Sequence, residues 1–115
     1  MTNPLRGQIE LSIGSKTYKC RLTVDALIKI ETELDTGILA ITQKLSEADI
    51  RVNDLTVILL HALRGGGNDF QEKQIHGIIS EAGLVGSCTA VAELLTQTLS
   101  DPNAEEEEKK EEAAA

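Results

Sequence analysis

The sequence predicts an α+β fold in which an N-terminal β-hairpin packs on about five helices. Apolar and polar residues alternate over residues 8–13 and again over 18–23, whereas beyond residue 23 apolar residues recur every three or four positions. The core must be almost purely aliphatic, because the chain has one Tyr, one Phe and no Trp. We expect one domain over residues 1–100, since the last stretch of the 115 residues is too polar to join a core.

The two alternating segments predict the strands of the hairpin. The residues expected to point inward are Ile9, Leu11, Ile13, Tyr18, Cys20 and Leu22. Between the segments lies Gly14-Ser15-Lys16, and its glycine permits the positive φ that tight hairpin turns need. A lone hairpin is marginal in water, so its apolar face must pack on helices.

Two helices are predicted next. Thr23 is a suitable N-cap for a helix over residues 24–35, and Gly37 is expected to end that helix as its C′ residue. A short helix then spans about residues 38–45. The residues predicted to face the core are Val24, Leu27, Ile28, Ile30 and Leu34 in the first helix and Ile38, Leu39, Ile41, Thr42 and Leu45 in the second.

A third helix, about residues 53–64, is apolar nearly all round, which is typical of a central helix. Gly65, Gly66 and Gly67 end it and form a candidate hinge, since glycine is conformationally permissive. A phosphate-binding loop is disfavoured, because Asn68-Asp69 stand where Lys followed by Ser or Thr would be needed. The carboxylate of Asp69 would also repel an anion there.

Two more helices complete the predicted domain. Asp69 and Glu72 have the spacing of a capping box that opens a helix running to about residue 82, which Gly83 ends. The last helix spans about residues 84–99. Its apolar stripe is formed by Leu84, Cys88, Val91, Leu95 and Leu99.

The net charge of −8 is unevenly distributed. Residues 101–115 carry seven acidic and two basic groups, whereas residues 1–100 carry 12 acidic and nine basic groups. Neither part offers a basic surface for phosphates, so nucleic-acid binding is not expected. The low-complexity end predicts a disordered acidic tail. It either keeps the chain soluble, which we favour, or attracts a basic partner.

The sequence indicates no enzyme, cofactor or membrane segment. Cys20, His61, His76 and Cys88 are the residues that could form a zinc site or a Cys-His nucleophilic pair, but no two of them lie within ten residues of each other. Buried thiols in apolar stripes behave as small hydrophobic groups. No apolar run reaches membrane-spanning length, and no signal peptide is recognised, so a cytoplasmic location is expected.

Several segments in a fixed order carry a resemblance to a known family. They are residues 7–11, 13–23, 26–31, 62–67, 81–84 and 90–95. In this order they resemble the tail assembly chaperone-like family of tailed phages, and most closely its gene transfer agent branch. The likeness covers roughly residues 5–100. It departs at Ala82-Gly83, where the family tends to show two glycines, and in the acidic tail.

The resemblance implies a role in tail assembly in a bacterial host cell and no catalytic residues. Such chaperones keep the tape measure protein soluble and help recruit tail tube protein, so these two are the expected partners, and a homo-oligomer is compatible with this role. Members of the gene transfer agent branch have also been labelled tail tube components. The alternatives are therefore a permanent structural tail component or a regulatory protein-binding adaptor. The candidate partner-binding residues are Ile38, Leu39, Val57 and Leu60. The alternative is that they belong to the core, which we favour for Val57 and Leu60.

Overall fold

A computed structural model describes residues 7–100 as a two-stranded antiparallel sheet followed by five helices. The elements are β1 (Gln8–Ile13), β2 (Lys16–Arg21), α1 (Val24–Leu34), α2 (Ile38–Ser46), α3 (Val52–Gly65), α4 (Glu72–Ala82) and α5 (Leu84–Ser100). The α+β class with an N-terminal hairpin is thereby confirmed. The predicted disordered acidic tail, residues 101–115, lies outside the described residues.

The hairpin turns over two residues, which places β2 earlier than the alternation predicted. Ile13 pairs with Lys16, and Gly14 at the first central position has a φ of 64°. Ser15 is not among the residues with positive φ, so the turn has the pattern of type II′. The alternation from residue 18 missed the beginning of the strand at Lys16, because Lys16 and Thr17 are both polar and exposed.

The boundary between α1 and α2 differs from the prediction in its capping residue. Thr23 caps α1 as expected, and its Oγ1 accepts a 3.1 Å hydrogen bond from the Ala26 N–H. The residue that ends α1 in the left-handed region is Asp35, with φ 52° and ψ 43°, rather than Gly37. Asp and Asn tolerate this region better than most residues. Gly37 is instead the N-cap of α2.

The third helix is central, as its sequence predicted. α3 packs against β2, α1, α4 and α5, and α5 also packs against β1 and α2. The hydrophobic residues of the core formed by these contacts are aliphatic apart from the thiols of Cys20 and Cys88, and Thr56 and Ser87 are fully buried as well. Its most completely buried large side chains include Ile30, Ile41, Leu45, Leu55, Ile58, Leu59, Leu63, Ile75, Val91, Leu94 and Leu95.

The capping box of α4 forms two residues later than predicted. Gln71 is the N-cap and exchanges hydrogen bonds with Gln74, so the box does not use Asp69 and Glu72. Gly83, with φ 84°, separates α4 from α5, as expected. At this corner Glu81 accepts hydrogen bonds from the main-chain N–H and the hydroxyl of Ser15. The hairpin turn is thus fastened to the end of α4.

Candidate binding surfaces

The glycine run makes a close contact between the end of α3 and strand β2. A Cβ atom added at Gly65 would lie 2.1 Å from the Arg21 carbonyl oxygen, and one added at Gly66 would lie 2.1 Å from the Lys19 carbonyl oxygen. Only a residue without a side chain fits such a backbone approach. The structure therefore gives Gly65 and Gly66 a packing role, while a Cβ at Gly67 would meet no atom within 4 Å. The hinge motion stays a prediction.

The main-chain N–H groups of this run are already used. Gly66 donates to the carbonyls of Ala62 and Leu63, Gly67 donates to Arg64, and Asn68 donates to Leu63 at 3.0 Å. These are the hydrogen bonds that close a helix C-terminus. Because the N–H groups point back into α3, they do not form a cradle for a phosphate.

The four candidate zinc or nucleophile residues lie in different surroundings. Cys20 and Cys88 are buried and free, and burial raises the pKa of the Cys20 thiol to about 12 and raises that of Cys88 as well. His61 lies 3.0 Å from a Glu33 carboxylate oxygen, and His76 is exposed on α4. Within residues 7–100, no three His, Cys, Asp or Glu residues lie close enough together to hold a metal ion.

The four candidate partner-binding residues do not share one exposed surface. Ile38, Val57 and Leu60 are half-buried and pack against the core. Leu39 differs from them, because 73% of its surface is exposed. The sequence could not separate Ile38 from Leu39, since both are apolar and begin the same helix after Gly37.

An exposed aliphatic surface that the sequence misassigned lies where α1 meets α2. Ile28 was predicted to face the core but is 53% exposed. One turn later on the same side of α1, Glu31 accepts a 2.8 Å hydrogen bond from the Ile38 N–H at the start of α2. Ile28 thus precedes Glu31 by one turn of α1, and Leu39 follows Ile38 in α2; we call these two exposed residues the α1–α2 corner.

A second exposed aliphatic pair begins α5. Leu84 was predicted to lie in the core stripe, yet it is 43% exposed, and Val85 is 66% exposed.

Within residues 7–100, no single helix is long and apolar enough to cross a membrane. α4 and α5 meet the length and composition requirements only as a pair, which is bent by 110° at their junction.

Two shallow depressions adjoin α2. One, of about 430 Å³, lies between Ser46 and the exposed side of α5. The other, of about 340 Å³, lies near the start of α3, where its lining includes Lys44, Asp49, Arg51 and Asp54. The Asp54 Oδ2 atom accepts a 3.0 Å hydrogen bond from Arg51 Nε. Neither lining includes a Cys or a His.

Comparison with known proteins identifies the family. The family model described as "Phage tail tube protein, GTA-gp10" matches residues 6–101. The chain belongs to this family. No curated protein and no solved structure matches it.

Membership in the tail tube GTA-gp10 family confirms the coarser part of the resemblance, which is a role in the tail of a phage or gene transfer agent. It also indicates other tail proteins as partners. The family's description names a tube protein and not an assembly chaperone. The matched region ends within one residue of the described structure, so the fold above is the fold of the family region.

Proposed function

We propose that this tail-family protein is a non-enzymatic assembly chaperone. It binds the tape measure and tail tube proteins in the cytoplasm of the bacterial host while the tail is built. The observation that carries the proposal is the α1–α2 corner, where Ile28 and Leu39 are exposed. Family membership supports the tail context of this binding.

Aliphatic side chains exposed to water raise the free energy of the protein, and a bound partner that covers them lowers it again. Ile28 and Leu39 keep more than half of their surface in water although neighbouring residues such as Ile30 and Ile41 are buried. Covering a Leu or Ile side chain with apolar surface contributes about 1.5–3 kcal/mol. A client with an apolar helix or strand gains this energy when it binds, and such patches often mark interaction sites.

The surroundings of the two thiols and of His61 support the non-enzymatic part of this proposal. The thiols are buried, their pKa values are raised, and a protonated thiol is a poor nucleophile. His61 and Glu33 form a pair, but among residues 7–100 no Ser, Cys or Thr is found in a hydrogen bond with His61.

The first experiment is co-expression of the chain with the neighbouring tape measure and tail tube proteins, followed by pull-down. We expect the tape measure protein to become soluble with the chain bound. Leu39→Ser should weaken that complex by roughly tenfold or more, because the Leu contribution is lost. Ala40→Ser is the matched control, since Ala40 is also exposed and lies next in the helix. Equal binding by both variants would remove the α1–α2 corner from the proposal.

A permanent structural component of the tail is the second candidate, and the family's description as a tail tube protein favours it. Mass spectrometry of purified particles separates the two candidates. A chaperone is missing from finished particles, whereas a structural component is present in many copies. If the chain binds a non-tail protein and neither tail protein, a regulatory adaptor is the better description.

A further inference from the structure

The outer edge of each hairpin strand is the side that faces away from the other strand. The outer edges of β1 and β2 differ in whether other parts of the chain bond to them. The Lys19 carbonyl accepts a 2.7 Å hydrogen bond from the Asn68 side chain, so the main chain of Lys19 faces away from β1. Lys19 is paired with Glu10, and hydrogen-bonded and non-hydrogen-bonded pairs alternate in an antiparallel ladder. The main-chain groups of Gln8, Glu10 and Ser12 therefore face the outer edge of β1.

The outer edge of β2 is closed by the connection between α3 and α4. Gly65 and Gly66 lie against the Arg21 and Lys19 carbonyls, and the Asn68 side chain supplies a donor to Lys19. No additional strand can pair there without displacing this connection.

The outer edge of β1 carries no main-chain hydrogen bond within the described residues, although α5 packs against this strand. Among residues 7–100, no hydrogen bond reaches the main-chain N–H or carbonyl of Gln8, Glu10 or Ser12 on that side. Glu10 and Ser12 are exposed, and β1 is a regular six-residue strand without proline. Unpaired groups at every second residue, about 6.8 Å apart, match the repeat of another strand.

The negative charge of Glu10, at the centre of the outer edge of β1, determines which kind of strand can pair there. In the two-fold pairing of β1 with a second copy that is centred on Glu10, the two Glu10 side chains would lie opposite each other, and like charges directly opposite are destabilising. A strand with Lys or Arg opposite Glu10 gains instead. Residues next to that position would share the face of Leu11 and Ile13, which are buried, so apolar residues fit there.

We propose that the outer edge of β1 binds an extended segment of a partner protein. The segment alternates apolar and basic residues and adds a third strand to the sheet. The identity of the partner as a tail protein rests on the proposed function, whereas the open edge does not. Residues 1–100 also carry more acidic than basic groups, 12 against nine, which favours a basic segment.

The test uses overlapping 15-residue peptides that span the tape measure and tail tube proteins, titrated into the full chain. We expect at least one peptide with the alternating pattern to bind. Ser12→Pro removes an outward N–H without removing a β1–β2 hydrogen bond, and should weaken binding by about tenfold or more. Thr17→Pro is the matched control, because Thr17 lies directly opposite Ser12 on the other edge and should leave binding unchanged.

Amide hydrogen exchange tests the edge without relying on the proline variants folding. In the free chain, the amides of Glu10 and Ser12 should exchange rapidly and those of Leu11 and Ile13 slowly, and the bound peptide should protect all four. Glu10→Lys should weaken binding several-fold and reduce its salt dependence.

Any of the following results would overturn the proposal: no peptide binds, the Ser12→Pro and Thr17→Pro variants bind equally, or the Glu10 and Ser12 amides are already protected in the free chain. A dimer formed through this edge, detected by sedimentation, would also overturn it. The co-expression experiment and the peptide titration can fail independently of each other. If Ser12→Pro still solubilises the tape measure protein, the chaperone function is retained and the edge is not its binding site.

Discussion

Replacing Gly66 by Ala tests whether the glycine run is a packing contact or a hinge. The new Cβ would lie 2.1 Å from the Lys19 carbonyl oxygen, 2.5 Å from its carbonyl carbon and 2.8 Å from the Cys20 Cα. All three neighbours are backbone atoms, which cannot move aside as a flexible side chain does. The φ of Gly66 is −84°, so Ala is not strained by its own backbone conformation and the cost comes from the contact.

The expected loss for Gly66→Ala is about 2 kcal/mol, which is typical of overpacking that forces the backbone to shift. In a domain of this size about 2 kcal/mol corresponds to a melting temperature lower by about 8–16 °C. Gly77→Ala is the matched control, because Gly77 lies inside α4 and an added Cβ meets no atom within 4 Å. This control should be stabilised by about 0.5–1 kcal/mol, since Ala has less conformational freedom in the unfolded chain.

The measurement is thermal unfolding followed by circular dichroism at several protein concentrations. A Gly66→Ala variant that melts at or above the wild-type temperature would refute the close contact. If such a stable variant also lost binding to tail proteins, the hinge hypothesis would be favoured instead. A hinge needs the freedom of glycine during function, whereas a packing contact needs its small size in the folded state.

Two further predictions concern the thiols and the hairpin turn. At pH 8, Cys20 and Cys88 should react with a thiol reagent roughly a thousandfold more slowly than in denatured protein. Both thiols are buried, so labelling requires a rare local unfolding of the chain. Rapid labelling of the folded chain would contradict the burial of these thiols. The Ser15 hydroxyl lowers the pKa of Glu81 most, followed by the Ser15 N–H and the charge of Lys16. Ionised Glu81 therefore stabilises the fold above its unfolded pKa, and this effect is lost as pH falls through the lower folded pKa. Glu81→Gln should therefore lower the melting temperature slightly at pH 7 and not at pH 2, and a difference that does not change with pH would contradict this assignment.

The sequence predicted the order of the elements well, because each element has a clear period. Alternation located the hairpin, and the three- and four-residue spacing located all five helices. The errors lie at the caps. Gly37 and Asp69 are strong capping residues by type, yet Asp35 ends α1 and Gln71 begins α4. Composition shows which residues can cap a helix, but the tertiary contacts decide which residue lies at its end.

The candidate surface was harder to predict than the fold. Ile28 and Leu84 fit the apolar spacing of their helices, but both are exposed. Periodicity identifies the apolar side of a helix, but it does not show how much of that side the neighbouring elements cover. The open edge of β1 left no signal in composition either, because it consists of main-chain groups. The difference between the two edges appears only in the tertiary structure, where the α3–α4 connection closes the edge of β2.

The size of these surfaces bears on the choice between chaperone and permanent component. A stable protein interface buries about 800 Å² on each partner. The α1–α2 corner offers two aliphatic side chains, and the β1 edge offers main-chain groups at three residues, so each is small beside that standard. Small interfaces give short-lived complexes unless several act together. A chaperone must release its client, and a single weak site of this kind suits it. A permanent subunit would need both surfaces occupied at once, so the lifetime of complexes with one tail protein at a time distinguishes the two roles.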